Sequence, residues 1–199
     1  MTFVPGGRNA LAIAGLEHLD QVALGDYLID THEVSNRRYA EFVRAGGYSQ
    51  HEHWHHRFFI DGEELEWAEA MARFTDRTGE PGPAGWLMGH YPEGEADYPV
   101  SGVSWYEAAA FAAFSGRQLP TVYHWNSAAC TYATEIVVPR SNFNGKGPAE
   151  VGSYPGRSTF GAADMAGNVR EWCLNQVGDG ERAILVTQTT GSEQDISGF

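Results

Sequence analysis

The residues best suited to chemistry lie in one short segment, Gly161 to Cys173, which reads GAADMAGNVREWC. Asp164 and Glu171 flank a turn that contains Gly167 and Asn168. Carboxylate and turn carbonyl oxygens that converge on a small volume suit a hard cation such as calcium, which tolerates irregular geometry. The pattern therefore indicates a calcium site. A structural turn that carries two solvated acidic side chains is the alternative, because the spacing is not that of an EF-hand.

A second cluster is the histidine-rich stretch from residue 51 to residue 56, HEHWHH. In an extended chain, His51, His53 and His55 would share one face, because side chains alternate with a period of two. Three imidazoles on one side could hold zinc, copper or nickel. The alternative is a polar surface strand or helix start whose histidines only titrate, since no acidic or thiolate partner is seen to converge on them.

Several familiar catalytic signatures are absent from the sequence. It contains no GxSxG or CxxC motif, and its NGKGP stretch does not match the GxxxxGK[ST] pattern of a nucleotide site. Two cysteines, Cys130 and Cys173, make no disulfide framework. Cys130 follows a predicted helix, where we expect it to pack as a small buried residue.

The composition favours a single domain with a substantial core. A chain of 199 residues fits one domain, at most with a small appendage, and 6 Trp, 9 Tyr and 10 Phe suffice for that core. The 24 Gly and 9 Pro indicate extensive turns and loops, which argues against a helical bundle or a doubly wound sheet.

The net charge of -13 limits the classes of molecule that the protein is expected to bind. Nucleic acids and anionic lipids reward Lys and Arg, so both are disfavoured, whereas solubility and cation binding are favoured. The opening MTFVPGGRNALAIAG lacks the features of a signal peptide, and no stretch approaches the roughly 18 apolar residues of a membrane span. We therefore expect a cytoplasmic protein.

Helix start signals place the main helices. Ser35 is a predicted N-cap for a helix that stops at Gly46-Gly47. Ser104 and Glu107 form an S-x-x-E capping box at the start of an alanine-rich helix that ends at Gly116.

Other elements follow from residue spacing and turn composition. Thr121 is the predicted N-cap of the helix that precedes Cys130, and an apolar stripe over Glu63 to Phe74 predicts another helix. Short strands are predicted within Thr2–Gly7 and Gln21–Asp30, and residues 76–99 and 140–160 are predicted loops.

Taken together, several stretches resemble the formylglycine-generating enzyme, or sulfatase-modifying factor, family. The matching stretches are VPGG (Val4 to Gly7), IDTHEVSNRRYAEFV (Ile29 to Val43), YPVSGVSWYEAAAFAAFSGRQLPT (Tyr98 to Thr121) and VGSYPGRSTFGAADMAGNVREW (Val151 to Trp172). They occur in the family's order, and the likeness covers most of residues 1–182. The sequence is most similar to such domains appended to bacterial serine/threonine protein kinases.

The resemblance implies an α+β, C-type-lectin-like fold of the sulfatase-modifying-factor type. Such a fold has little regular secondary structure, with short helices around small antiparallel sheets. The domain would span residues 1–182, and residues 183–199 would be an atypical tail in place of the family's C-terminal strands, which leaves the C-terminal part incomplete. An open sheet edge and apolar surface would follow, so we expect marginal stability alone, or a protein partner or self-association.

The resemblance also implies calcium at the segment described first. The implied ligands are the carboxylates of Asp164 and Glu171 and the backbone carbonyls of Gly167 and Val169. A second calcium site of the family would use Asn142 and the carbonyl of Phe143, although no clear acidic partner follows downstream where that site needs one.

We do not expect the catalytic activity of this family here, because the cysteines that would hold its copper are missing. Members of the family oxidise a sulfatase cysteine to formylglycine with molecular oxygen and with copper held by two cysteines near the C-terminus. The corresponding stretch here, AILVTQTTGSEQDISGF, has no cysteine, and Cys130 and Cys173 lie elsewhere. Because Cu(I) needs soft thiolates, copper is not expected and no catalytic residue is assigned.

The sequence therefore predicts a non-catalytic, calcium-braced binding or regulatory module for a protein partner. The alternative function is a formylglycine-generating-type, metal-dependent oxidase that acts on a protein cysteine.

Overall fold

A computed structural model describes residues 1–13, 16, 18–143 and 145–174 of the chain. The chain forms two compact units, each assembled from separate segments. The first unit comprises Met1–Glu33 and Pro120–Glu171, and the second comprises Val34–Leu119 and the segment that begins at Trp172. The predicted tail, residues 183–199, lies outside the described residues.

The first unit opens with four short strands: β1 (Thr2–Val4), β2 (Gly7–Asn9), β3 (Val22–Leu24) and β4 (Tyr27–Ile29). β1 pairs antiparallel with β4, and β2 pairs antiparallel with β3. Each pair is a two-stranded sheet of its own. The strands predicted within the opening residues and within residues 21–30 are confirmed.

The first helix of the second unit is α1 (Asn36–Arg44), and it begins as predicted. The Ser35 side chain accepts a hydrogen bond from Arg38 N at 3.4 Å, which satisfies one backbone donor that the first turn leaves unpaired. Tyr39 and Phe42 lie on its buried side.

The prediction of one helix over residues 63–74 is wrong. β5 (Phe58–Ile60) and β6 (Glu63–Leu65) form a hairpin, and only α2 (Trp67–Met71) is helical. Asp61 and Gly62 connect the strands with φ values of 49° and 81°, as a two-residue turn of the mirror-image type requires. The Asp-Gly pair was a hairpin signal that the apolar stripe obscured.

The alanine-rich helix is α3 (Trp105–Phe114), and its capping box is confirmed. Ser104 Oγ accepts from Glu107 N at 3.2 Å, while Ser104 N donates to Glu107 Oε2 at 2.7 Å. In the described residues, no helix is both long enough and apolar enough to cross a membrane.

An aromatic core holds the second unit together. Trp54 stacks on Phe74 with ring centroids 5.3 Å apart, and Tyr39 stacks on Phe111 at 5.1 Å. Aromatic pairs in such arrangements stabilise a core beyond the area that they bury. The largest buried members of this core are Tyr39, Phe42, Tyr48, Trp54, Phe58, Phe74, Trp86, Trp105, Tyr106 and Phe111.

The chain then returns to the first unit through α4 (Val122–Ala129) and α5 (Thr134–Val137). Thr121 caps α4 as predicted, because its hydroxyl accepts from His124 N at 3.3 Å. A small core joins this helix to β1 and to the loop that carries Asp164; its buried members are Val4, Ala128, Ala129, Ala162 and Met165. Short helices and two-stranded antiparallel sheets thus confirm the predicted α+β class.

Candidate functional site

The segment predicted to bind calcium is an irregular turn with a constrained backbone. Asp164, Gly167 and Asn168 have φ values of 58°, 78° and 61°, all in the left-handed region. Glycine visits this region readily, and Asn and Asp are the other residue types that tolerate it best. The residue types therefore match the backbone that they form.

Asp164 lies in a buried position at the start of this turn. Only 5% of its surface is exposed, and its Oδ2 accepts a hydrogen bond from Gly152 N at 2.5 Å. Immediately before it, Ala163 N donates to Thr31 O at 2.6 Å. The Asp164 carboxylate is thus fixed by the Gly152 backbone, and the backbone just before it is fixed by Thr31.

Glu33 is a site residue that the sequence analysis missed. Its Oε2 accepts from Asn168 Nδ2 at 2.6 Å, and its Oε1 accepts from Val169 N at 3.2 Å. Glu33 and Asn168 lie 135 residues apart in the chain, so no spacing rule connects them. Only the folded chain shows that this carboxylate faces the turn.

The carboxyl groups of the site influence one another. Burial raises the pKa of Glu33 to about 7; Asn168 and Val169 oppose this rise, and Asp164 adds to it. Burial and then the Glu33 carboxylate raise the pKa of Glu171 to about 8, with a smaller contribution from Asp164. Glu171 as a whole residue is exposed, so solvent reaches part of its side chain. Because neighbouring carboxylates raise the pKa values of Glu33 and Glu171, a positive charge at the site would relieve the repulsion between them.

The fold also brings Asn142, predicted for a second calcium site, to the same turn. Asn142 Nδ2 donates to Asn168 Oδ1 at 2.9 Å and to Gly147 O at 3.0 Å. Its Oδ1 is buried and accepts no hydrogen bond within the described part of the chain. An unpaired buried acceptor costs free energy, so this oxygen is chemically suited to a cation. Phe143, its predicted companion, is 55% exposed.

The three histidines do not share the face assumed for an extended chain. His51–His53 form a single turn of 3-10 helix, so the alternation of an extended strand does not apply. The His51 ring packs 4.5 Å from that of Trp67, His53 Nε2 lies 2.9 Å from Gln50 Oε1, and His55 Nε2 lies 2.8 Å from Glu52 O. Metal binding by these three histidines stays a prediction, and the shared face on which it was based does not form.

Across residues 1–13, 16, 18–143 and 145–174, no three or more His, Cys, Asp or Glu side chains form a group that could hold a metal ion. The predicted calcium site uses two carboxylates and two backbone carbonyls, which is a different kind of ligand set. The ligands assigned to it therefore also stay predictions.

Cys130 and Cys173 are both buried, and neither forms a disulfide. Cys130 is 1% exposed, as expected for a small packed residue, and its Sγ lies 2.8 Å from Thr159 Oγ1. The Cys173 carbonyl accepts from Trp105 Nε1 at 3.1 Å, which places this residue beside one member of the aromatic core of the second unit.

Comparisons with known proteins identify the family. Residues 1–194 match the family described as the sulfatase-modifying factor enzyme 1-like domain. The chain is 32% identical over 189 residues to the serine/threonine-protein kinase Pkn1 of Chlamydia trachomatis, which covers 87% of this chain and 27% of the kinase. It is 30% identical over 194 residues to the hercynine oxygenase of Mycolicibacterium smegmatis, which covers 85% of this chain and 44% of the oxygenase.

A third relative is the formylglycine-generating enzyme of Thermomonospora curvata, 29% identical over 217 residues that cover 87% of this chain and 68% of the enzyme. The chain spans less than half the length of the kinase and of the oxygenase. Because the family match runs from residue 1 to residue 194, it includes the turn around Asp164 and most of the stretch 183–199. The chain belongs to the sulfatase-modifying factor enzyme 1-like domain family.

Proposed function

We propose that this chain is a non-catalytic binding or regulatory module, with a calcium ion that braces the turn between Asp164 and Glu171. The observation that carries the proposal is the buried Asp164 carboxylate. Its charge adds to the raised pKa values of Glu33 and Glu171, for which burial is the largest cause. A calcium ion would supply the positive charge that lets these groups stay ionised in the folded state.

The proposed ligands all offer oxygen, as calcium prefers. They are the carboxylates of Asp164 and Glu171 and the carbonyls of Gly167 and Val169. Asn142 would serve a second cation through its buried, unpaired Oδ1. The left-handed backbone at Asp164 and Asn168 supports a functional role, because such conformations persist where surrounding contacts impose them.

The cysteines support a role without copper chemistry. The sequence has two cysteines, and residues 183–199 carry neither of them. Cys130 and Cys173 are both buried; the Cys130 thiol contacts the Thr159 hydroxyl, and the Cys173 carbonyl accepts a hydrogen bond from Trp105. Cu(I) is held by a pair of soft thiolates, and we do not assign that role to these two cysteines.

A protein partner or a second copy of the chain is the proposed binding target. Phe3 and Leu28 face each other across β1 and β4, and they are 54% and 58% exposed. Apolar side chains paired on an open sheet favour contact with another protein surface. The net charge of -13 argues against nucleic acid and anionic membranes, and it fits the proposed cytoplasmic location.

Calcium titration of the purified chain tests this proposal. We expect isothermal calorimetry to detect calcium binding and the melting temperature to rise when calcium replaces a chelator. At a calcium concentration 100 times Kd, the stabilisation is about 2.7 kcal/mol. Magnesium should stabilise less, because it demands a smaller octahedral site. Identical melting with calcium and with chelator, together with no heat of binding, would overturn the proposal.

The second candidate is a metal-dependent oxidase that acts on a protein cysteine. It is favoured by the names of two relatives, the hercynine oxygenase and the formylglycine-generating enzyme. Oxygen uptake with a cysteine-containing peptide and added copper separates the two functions, and we expect none. Turnover that survives replacement of both cysteines by Ser, but is lost with His53→Ala and His55→Ala, would instead support an oxidase that uses the histidines.

A further inference from the structure

Glu33 connects the start of the chain to the turn that carries the proposed calcium ligands. One of its carboxylate oxygens accepts from the Asn168 side chain and the other accepts from the Val169 backbone. Both oxygens are thus used to hold two consecutive residues of the turn. Hydrogen bonds to an ionised carboxylate are stronger than those between neutral groups.

The Asn168 amide has a fixed orientation at this contact. Its Oδ1 accepts from Ala149 N at 2.8 Å and from Asn142 Nδ2 at 2.9 Å. The nitrogen end of the amide must therefore face Glu33, where only an acceptor can satisfy it. Glu33 provides one such acceptor at 2.6 Å and the Ala149 carbonyl provides another at 3.3 Å, so the amide of the left-handed Asn168 is hydrogen-bonded at both ends.

We infer that Glu33 is a positioning residue of the calcium site, acting through Asn168 and Val169 to hold the backbone of Gly167 and Val169. The inference rests on the proposed calcium function. Residues that orient metal ligands affect affinity strongly, and their loss typically weakens metal binding by about 10-fold to 100-fold. Glu33 therefore determines how tightly the site binds without being one of the assigned ligands.

A double-mutant cycle read by calcium affinity tests the inference. Glu33→Ala removes both hydrogen bonds, and Asn168→Gly removes the amide while it preserves the left-handed backbone. We expect each single variant to raise the Kd for calcium by about 10-fold. The double variant should bind about as weakly as the weaker single variant, because both remove the same connection. Glu135→Ala, at an exposed acidic position of the same unit, should stay within about twofold of the wild type.

The possible outcomes distinguish the positioning role of Glu33 from the proposed calcium binding itself. A wild-type chain that does not bind calcium defeats both. A wild-type chain that binds calcium, with an unchanged Kd in Glu33→Ala, defeats only the inference, even if the melting temperature of the calcium-free variant falls. Independent effects that multiply to about 100-fold in the double variant also defeat it. Should Glu33→Ala fail to fold, Glu33→Gln replaces it, and a rise in Kd is again expected because a glutamine amide has one acceptor oxygen and cannot accept from both Asn168 Nδ2 and Val169 N.

Discussion

Asn142 and Asn168 form a reciprocal hydrogen-bonded pair at the centre of the candidate site. Asn168 N donates to the Asn142 carbonyl at 3.0 Å, and Asn142 Nδ2 donates to Asn168 Oδ1 at 2.9 Å. The pair joins two segments that the family resemblance assigns to separate calcium sites. A substitution in either segment should therefore alter the conformation of the other.

Gly167→Ala tests how closely these two segments approach. A Cβ at Gly167 would lie 2.6 Å from the Asn142 carbonyl oxygen, and the residue has a φ of 78°. Gly161 has a similar φ of 86°, but its nearest atom would be 3.8 Å away. Gly161→Ala should therefore lower the free energy of unfolding by about 1–2 kcal/mol from backbone strain alone. Gly167→Ala should cost at least about twice as much, measured by urea denaturation. Equal losses would contradict the close approach.

Asp164→Asn tests the charge of the proposed calcium site. Asparagine tolerates the left-handed backbone and can still accept from Gly152 N, so the fold should persist. The loss of one ligand charge should weaken calcium binding by about one to two orders of magnitude, measured by calorimetry. Glu150→Gln removes a charge at an exposed position and should leave the affinity nearly unchanged. Equal affinities of Asp164→Asn and the wild type would exclude Asp164 as a ligand.

Glu107 makes stability fall as the pH rises. It is buried in the second unit, where Tyr48 Oη donates to its Oε1 at 2.6 Å and Ser104 N donates to its Oε2 at 2.7 Å. Burial raises the pKa of Glu107 to about 7, above the ordinary value of 4.5, despite these donors. The folded state thus keeps a proton that the unfolded state releases, so this contribution is complete below about pH 4.5 and is lost through about pH 7.

We therefore expect the free energy of unfolding of the wild type to fall by a few kcal/mol between about pH 5 and about pH 8, because each tenfold difference in proton affinity between the folded and unfolded states is worth about 1.4 kcal/mol. Glu107→Gln cannot ionise and should show a shallower decline over the same interval. Urea denaturation in chelator, compared at the two pH values, measures the difference. Parallel pH profiles for the two proteins would show that Glu107 does not titrate in this range.

Leu28→Lys tests the proposed contact surface. Leu28 is 58% exposed opposite Phe3 on β1 and β4, so a lysine there should leave the fold intact while it disfavours apolar association. If the wild type self-associates, sedimentation velocity should show a mass that rises with concentration, and Leu28→Lys should lower that rise. Ala23→Lys, at an exposed position of β3, is the matched control. A monomeric wild type with high stability that does not depend on concentration would contradict self-association.

The local elements of the chain were largely readable from the sequence, because the signals that define them lie within a few residues. The caps at Ser35, Ser104 and Thr121 are short-range hydrogen bonds, and all three form where the sequence predicts them. The error over residues 63–74 also had a local cause, since the Asp61-Gly62 turn outweighed an apolar stripe that suits a helix.

The sequence by itself determined the family, the capped helices and the acidic turn around Asp164, since motifs and local hydrogen bonds are encoded by neighbouring residues. Only the tertiary structure brought Glu33 to Asn168 and joined Asn142 to the same turn. Those contacts depend on chain closure over 135 and 26 residues, which no local pattern specifies. The pKa values of Glu33 and Glu171 follow from the same closure, because burial and neighbouring charge exist only after the segments meet.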